Sequence, residues 1–245
     1  GYPEALSAFG FPPEVREELN ASCPGETSGS FLDTSAPDNG CNSPHYQPPA
    51  PTIPAFKTSI GLHTPYTGAQ IDFAESQFET NKHISLVTLS IGANDVLLVL
   101  PQLAQCGGDP SCAQGVMAPV LQAYAANLGV ILTRIRAHYQ GTLLLLTYYS
   151  PAPALDGIAQ ALNSVMTQVA AQVSAQPNSP RILIADGYAI FQLVSAPFHG
   201  DACQAGLLIR FPPSPYNTSP CDIHPSALGR NLLAATIEAA LLAQH

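Results

Sequence analysis

The chain has 245 residues, 46% of them hydrophobic, and its 8 basic and 17 acidic side chains give a formal net charge of −9. A chain of this length can bury one sizeable core, so we expect a single domain over residues 1–245. Because no basic cluster occurs, a nucleic-acid backbone or an anionic membrane surface would find little to bind, and we predict neither as a partner. No apolar run approaches the roughly 20 residues that cross a bilayer, so we also predict no stable membrane insertion.

Six cysteines fall into neighbouring pairs along the chain. The pairs are Cys23 with Cys41, Cys106 with Cys112, and Cys203 with Cys221. An even number at such separations predicts three loop-closing disulfides in an oxidising compartment. Zinc is the alternative for clustered cysteines, but the chain has no C-x-x-C motif and no closely spaced Cys/His set. We therefore predict a secreted protein that holds no metal.

The first half of the chain begins irregularly. Residues 33–65 contain seven prolines and no sustained hydrophobic period, which predicts a long excursion over the surface. We expect Cys41 to pin this excursion. Thr67 and Gln70 then have capping-box spacing, which predicts a helix that runs to about Asn81.

Buried strands and amphipathic helices alternate through the rest of the chain. An apolar run at 85–91 lacks polar alternation and predicts a central parallel strand covered on both faces. The elements that follow are a helix over 116–135, a strand at 142–147, a helix over 155–173, a strand at 182–185 and a last helix over 228–241. Strands separated by crossover helices predict an α/β fold with three layers, α/β/α, around a central parallel sheet. In such sheets, ligand sites lie beyond the carboxyl ends of the strands.

Two glycine-containing segments can supply hydrogen-bond donors to a developing oxyanion. Residues 92–95 (Gly-Ala-Asn-Asp) follow the strand at 85–91, where glycine permits a sharp turn and Asn94 can aim its side-chain amide. Gly25, within Cys-Pro-Gly-Glu-Thr at 23–27, can offer a backbone N–H without a side chain in the way. Taken alone, either segment could be ordinary turn chemistry.

A third segment, Asp222-Ile223-His224-Pro225, precedes the last helix. A histidine with a carboxylate two residues before it fits a general base whose ring is oriented by a neighbour. The alternative is an inert surface histidine. The adjoining Asp222 and the tether at Cys221 favour a held position for His224, and therefore a function.

In this order, the three segments resemble the conserved blocks of the SGNH (GDSL-like) hydrolases, which are named for Ser, Gly, Asn and His. Residues 23–27 are similar to the glycine block, 92–95 to the asparagine block and 222–225 to the histidine block. Residues 66–74 also resemble a stretch that precedes the asparagine block in secreted bacterial members. The likeness covers nearly the whole chain and implies a secreted esterase or lipase with a flavodoxin-like strand order.

The resemblance implies a role for each site residue. His224 would deprotonate a serine while Asp222 orients its ring, and the Gly25 N–H and Asn94 side chain would join the serine's own N–H around the oxyanion. The reaction would be acyl transfer through an acyl-serine, on a lipid or other acyl ester, with no metal and no cofactor.

The chain departs from the family's pattern at the nucleophile. The family's serine lies in a G-D-S block at the end of the first strand, and residues 1–22 contain no such block. Ser7, Ser28 and Ser30 follow no predicted strand. We therefore expect the nucleophile in an upstream segment that also carries a signal peptide and the first strand.

A second departure concerns the acid. The family's usual position, three residues before the histidine, is Cys221 here, so either Asp222 or a backbone carbonyl would orient the ring. Alternative functions are a catalytically inactive SGNH-like binding module, a carbohydrate acetyl esterase with the same chemistry, and a secreted α/β domain unrelated to hydrolysis.

Overall fold

Three parallel strands form the centre of the computed structural model, which describes residues 2–8, 17–44, 52–177, 179–212 and 220–243. The strands are β1 (Leu86–Leu89), β2 (Thr142–Leu146) and β3 (Ile182–Ala185), in the order β1-β2-β3. β2 pairs in parallel with both of its neighbours. A separate antiparallel pair joins β4 (Leu208–Arg210) to β5 (Cys221–Pro225).

Helices connect the strands and cover the sheet. In the described part of the chain they are α1 (Tyr2–Ala8), α2 (Ser28–Leu32), α3 (Phe56–Ser59), α4 (Gln70–Thr80), α5 (Ala93–Leu97), α6 (Leu100–Gln105), α7 (Pro110–His138), α8 (Asp156–Ser174), α9 (Gly187–Ser195) and α10 (Ala227–Leu242). The predicted alternation of helices and buried strands is present in the same order.

The sheet has a hydrophobic core on each face. Because strand side chains alternate, Leu143 and Leu145 of β2 pack with α4, α7 and α8. Leu144 and Leu146 pack on the other face with α1, α9 and α10. All four leucines are buried. The predicted three-layer α/β/α class with a central parallel sheet is therefore confirmed. The flavodoxin-like order involves more strands than these three and stays a prediction.

β1 lies at the edge of the described sheet, so the central position predicted for the strand at 85–91 is not observed among these residues and stays a prediction. Three of its four residues are half-buried, whereas four of the five β2 residues are buried. A cavity of about 520 Å³ lies along β1, between α4 and the segment 17–22. An unbroken apolar run indicates that both faces of a strand are buried. It does not indicate whether another strand pairs with each of its edges.

α4 begins without the predicted capping box. Its N-cap is Ala69, whose side chain accepts no hydrogen bond. Gly68 takes a left-handed conformation with φ +74°, so the backbone turns between Thr67 and the helix. Thr67 is therefore not the cap, although the helix ends at Thr80, close to the predicted end.

α7 is the one helix among the described residues that is long and apolar enough, by length and composition, to cross a membrane. The sequence contains no continuous apolar run here, but the 29-residue helix is unbroken and its average composition is apolar enough to cross a membrane. Tyr124, Leu128 and Ile131 are fully buried in the core against the sheet. Core helices pass the same test, so the absence of membrane insertion stays a prediction.

The three predicted disulfides are confirmed. Their Cα–Cα distances are 5.6 Å for Cys23–Cys41, 5.5 Å for Cys106–Cys112 and 5.8 Å for Cys203–Cys221. The first bond pins the irregular excursion at 33–65, as expected, although residues 45–51 of that stretch lie outside the described residues. Three disulfides are compatible with a secreted protein.

Candidate active site

Gly25 lies in a turn that requires glycine. Its φ is +80°, and a Cβ atom there would lie 2.3 Å from the backbone oxygen of Asn39. The Asn39 N–H donates to the Gly25 carbonyl over 2.8 Å, and the Cys23–Cys41 disulfide closes the same loop. Among the described residues, none accepts a hydrogen bond from the Gly25 N–H. This half-buried donor can therefore serve a ligand.

Asn94 lies in the first turn of α5, directly beyond the carboxyl end of β1. The turn into the helix is made by Gly92, with φ +126°, where a Cβ would lie 2.4 Å from the Tyr124 ring. The Asn94 side-chain amide donates to the Glu26 carbonyl over 3.0 Å. A primary amide carries two hydrogens, so a second donor remains on Asn94. We call Gly25, the Glu26 carbonyl and Asn94 the Gly25–Asn94 unit.

A second connection fixes the same two segments together. The Ser28 hydroxyl donates to one oxygen of Asp95 over 2.5 Å, and the Ser28 N–H donates to the other over 2.8 Å. The Asn127 amide also donates to the Ser28 hydroxyl over 3.0 Å. Burial raises the pKa of Asp95, and the hydrogen bonds from Ser28 oppose the shift. The role of Asp95 was not anticipated, although it stands within the Gly-Ala-Asn-Asp motif.

His224 and Asp222 lie on β5 and form a contact. Nδ1 of His224 is 2.9 Å from Oδ1 of Asp222, and the His224 side chain is 69% exposed. Residues two apart on a strand share a face, which is why the carboxylate reaches the ring. The strand is held by the Cys203–Cys221 disulfide and by the Tyr149 hydroxyl, which donates to the Ile223 carbonyl over 2.7 Å.

Two adjacent residues beyond β2, Tyr148 and Tyr149, contact both halves of the candidate site. Burial raises the pKa of Tyr148, and hydrogen bonding to Ser90 and to the Ala93 backbone opposes the shift. Tyr149 holds the histidine-bearing strand through Ile223 and stacks on Phe191 at 4.2 Å. The structure therefore joins the Gly25 loop to Asn94 through the Glu26 carbonyl, and it connects the strand that carries His224 to the residue pair that follows β2. The two tyrosines had no sequence signal beyond their position after a strand.

The three serines weighed above as nucleophiles are engaged in hydrogen bonds within the fold. Ser28 binds Asp95, and Ser30 forms a capping box with Thr27 at the start of α2. Ser7 donates to the Glu18 carboxylate. Within the described ranges no serine forms a hydrogen bond with His224. The nucleophile is therefore not assigned to any of these residues.

One group of side chains lies close enough together to hold a metal ion but lacks the ligand atoms to bind one. The Sγ atoms of Cys23 and Cys41 and a carboxylate oxygen of Glu26 lie within 4.8 Å of one another. The two sulfurs are bonded to each other in a disulfide, so neither is available as a thiolate ligand. These residues do not fit a metal ion.

No protein-family model matches the chain, and no curated protein matches it. A solved structure, described as the lipase Lip_vut3 from a goat rumen metagenome, is similar with a TM-score of 0.43 and 15% identity. The match covers 70% of this chain and 67% of that chain. A similarity at this level assigns no activity to this chain.

Proposed function

We propose that the protein is a serine-type carboxylic-ester hydrolase that works through an acyl-serine intermediate. The observation that carries the proposal is the pair His224–Asp222, with Nδ1 2.9 Å from the carboxylate and the ring largely exposed. A carboxylate on Nδ1 stabilises the tautomer in which Nε2 is free to accept a proton. This is the arrangement that a general base for a hydroxyl nucleophile needs.

The remaining groups fit the later stages of acyl transfer. As the serine oxygen attacks the ester carbon, Nε2 of His224 takes its proton, and the carbonyl oxygen becomes an oxyanion. The Gly25 N–H and the second hydrogen on the Asn94 amide are donors for that oxyanion, each worth on the order of 3 kcal/mol. His224 then protonates the departing alcohol, and water repeats the sequence on the acyl-serine.

The proposal places the nucleophile on a strand that pairs with the open edge of β1. Support comes from the cavity of about 520 Å³ along β1, walled by Phe73 and Phe78 of α4 on one side and by 17–22 on the other. The carboxyl ends of parallel strands meet at one edge of a sheet. A serine at the end of such a strand would lie beside the turn at Gly92, close to Asn94. The strand would belong to an upstream segment of the polypeptide.

A catalytically inactive binding module is the second candidate function. It is favoured by one observation, that no described serine forms a hydrogen bond with His224. A binding role alone does not require a carboxylate on Nδ1 or an amide donor at the end of β1, and we therefore rank it second. A carbohydrate acetyl esterase is a variant of the first candidate, with the same residues in the same roles. The three disulfides support action outside the cell.

The proposal is tested with the full-length polypeptide and a series of p-nitrophenyl esters of short and long acids. We expect hydrolysis by the wild type and none above background by His224→Ala. His63→Ala is the matched control, because His63 is an exposed histidine that contacts Glu4 and lies outside the proposed site. Preference for acetate would favour the acetyl esterase, and preference for long acids would favour a lipase. Hydrolysis that is unchanged in His224→Ala would overturn the proposal.

A further inference from the structure

We infer that Glu26 is a positioning residue for the Gly25–Asn94 unit, and that it performs this role in its protonated form. The inference rests on the proposed function, because it assumes that the unit holds an oxyanion. It deepens that function by adding a residue whose side chain contacts neither the substrate nor the reacting atoms.

Glu26 connects the unit to the protein interior. Its backbone carbonyl accepts the hydrogen bond from Asn94, and the residue as a whole is 3% exposed. On the side-chain end, the Tyr66 hydroxyl donates to Oε2 over 3.3 Å. Oε1 is buried without a hydrogen-bond partner among the described residues, and so is the amide nitrogen of Asn42.

These surroundings favour a neutral carboxyl group. A buried carboxylate needs a close cation or several donors, and Glu26 has one long hydrogen bond. The charged and titratable groups that face it are Lys57, Tyr66 and Asp38. Lys57 donates instead to Asn42 Oδ1 over 2.6 Å and lies 4.5 Å from the centre of the Tyr66 ring. Burial raises the pKa of Glu26 to about 7, although the positive charge of Lys57, the largest opposing effect, and the hydrogen bond from Tyr66 lower it.

Ionisation of Glu26 would disturb the unit because the flanking backbone is fixed. On one side, Asn39 holds the Gly25 carbonyl. On the other side, Thr27 is the N-cap of α2 and accepts a hydrogen bond from the Ser30 N–H over 3.0 Å. A carboxylate that moves toward solvent or toward Lys57 therefore pulls on the peptide between these points. That peptide holds the carbonyl that orients the Asn94 amide.

The first test is the dependence of kcat on pH in the full-length protein. In the wild type, kcat falls about tenfold per pH unit above about pH 7 as Glu26 ionises. In Glu26→Gln, which keeps the shape and cannot ionise, the alkaline fall is absent while KM is unchanged. Glu79→Gln, at a side chain 66% exposed on α4, is the matched control and keeps the wild-type profile. Identical profiles for the wild type and Glu26→Gln would overturn the inference.

The second test does not depend on catalysis. Wild-type stability against urea should fall as pH rises from about 4.5 to about 7, because the folded state binds the Glu26 proton more tightly than the unfolded state. Glu26→Gln should lose that dependence, and Glu79→Gln should keep it. Persistence of the full dependence in Glu26→Gln would overturn the inference whatever the activity. If Glu26→Gln loses the pH dependence of stability but the wild type hydrolyses no ester, the proposed function is overturned. The conclusion that Glu26 is protonated in the folded protein would still stand.

Discussion

The side-chain amide of Asn94 donates a hydrogen bond of 3.0 Å to the backbone carbonyl of Glu26. This bond joins the turn after β1 to a loop that lies 68 residues earlier in the chain. The hydrogen bonds between Ser28 and Asp95 reinforce the same junction from the buried side. Two segments that are remote in sequence are therefore fixed to each other, as an oxyanion site built from Gly25 and Asn94 would require.

Asn94→Ala should lower kcat by about 10² to 10³, because one oxyanion donor is lost while substrate binding is retained. Steady-state kinetics with a p-nitrophenyl ester measures the effect. Asn231→Ala, on the exposed side of α10, is the matched control and should leave kcat unchanged. A change confined to KM would show that Asn94 binds the ground state and does not act on the transition state.

Asp222→Asn should lower kcat on the order of 10⁴-fold, because an amide can stabilise the tautomer of His224 that cannot accept the proton of the proposed serine. His224→Ala should lose at least as much activity. The comparison is made by kinetics on variants whose circular dichroism spectra match the wild type. If Asp222→Asn loses little activity while His224→Ala loses nearly all, a group other than Asp222 orients the ring.

Asp95→Ala should destabilise the fold by about 2 kcal/mol, because it leaves the buried N–H and hydroxyl of Ser28 without their acceptor. Urea unfolding gives the free energy. The matched control is Asp72→Ala, whose carboxylate is 63% exposed and pairs with Arg134, and which should cost less than about 1 kcal/mol. Equal losses in the two variants would mean that the Ser28–Asp95 connection contributes no more than a surface ion pair.

Replacing Cys203 and Cys221 by serine should destabilise the protein by about 3 kcal/mol, because the bond closes a loop with a sequence separation of 18. It should also lower kcat, since Cys221 is the first residue of the strand that carries His224. Thermal unfolding and kinetics are measured on the same samples. The Cys106–Cys112 pair, which closes a separation of 6 at the junction of α6 and α7, provides the control for kcat. An unchanged kcat in the first variant would show that the strand keeps its position without the disulfide.

Local sequence patterns predicted much of the fold. The strand Ile182–Ala185 was predicted at its observed bounds, because a short apolar run follows a long amphipathic helix. The helix over 116–135 was predicted too short, since it begins at Pro110. Its start is set by Asp109, whose side chain accepts hydrogen bonds from the N–H groups of Ser111 and Cys112. A proline at the first helical position marks the start of a helix, and a search for hydrophobic periodicity alone does not detect it.

The sequence indicates the individual residues of the candidate site, but it does not indicate the hydrogen bonds that join them. Gly25, Asn94 and His224 stand in recognisable motifs, and their residue types indicate their chemistry. The hydrogen bonds that join Ser28 to Asp95, and Glu26 to Asn94, link residues that are far apart in the chain, and no local periodicity encodes them. The burial of Glu26 depends on Tyr66 and the Cys23–Cys41 disulfide, which approach it only in the folded protein.

The central claim is that His224 activates a serine held beside the open edge of β1. The most direct measurement is mass spectrometry of the full-length protein after treatment with a serine-directed phosphonate, followed by peptide mapping. The account predicts one adduct, on a serine at the end of a strand upstream of residue 23, formed by the wild type and not by His224→Ala. A correctly folded full-length protein that forms no adduct, or one that reacts equally without His224, would contradict it.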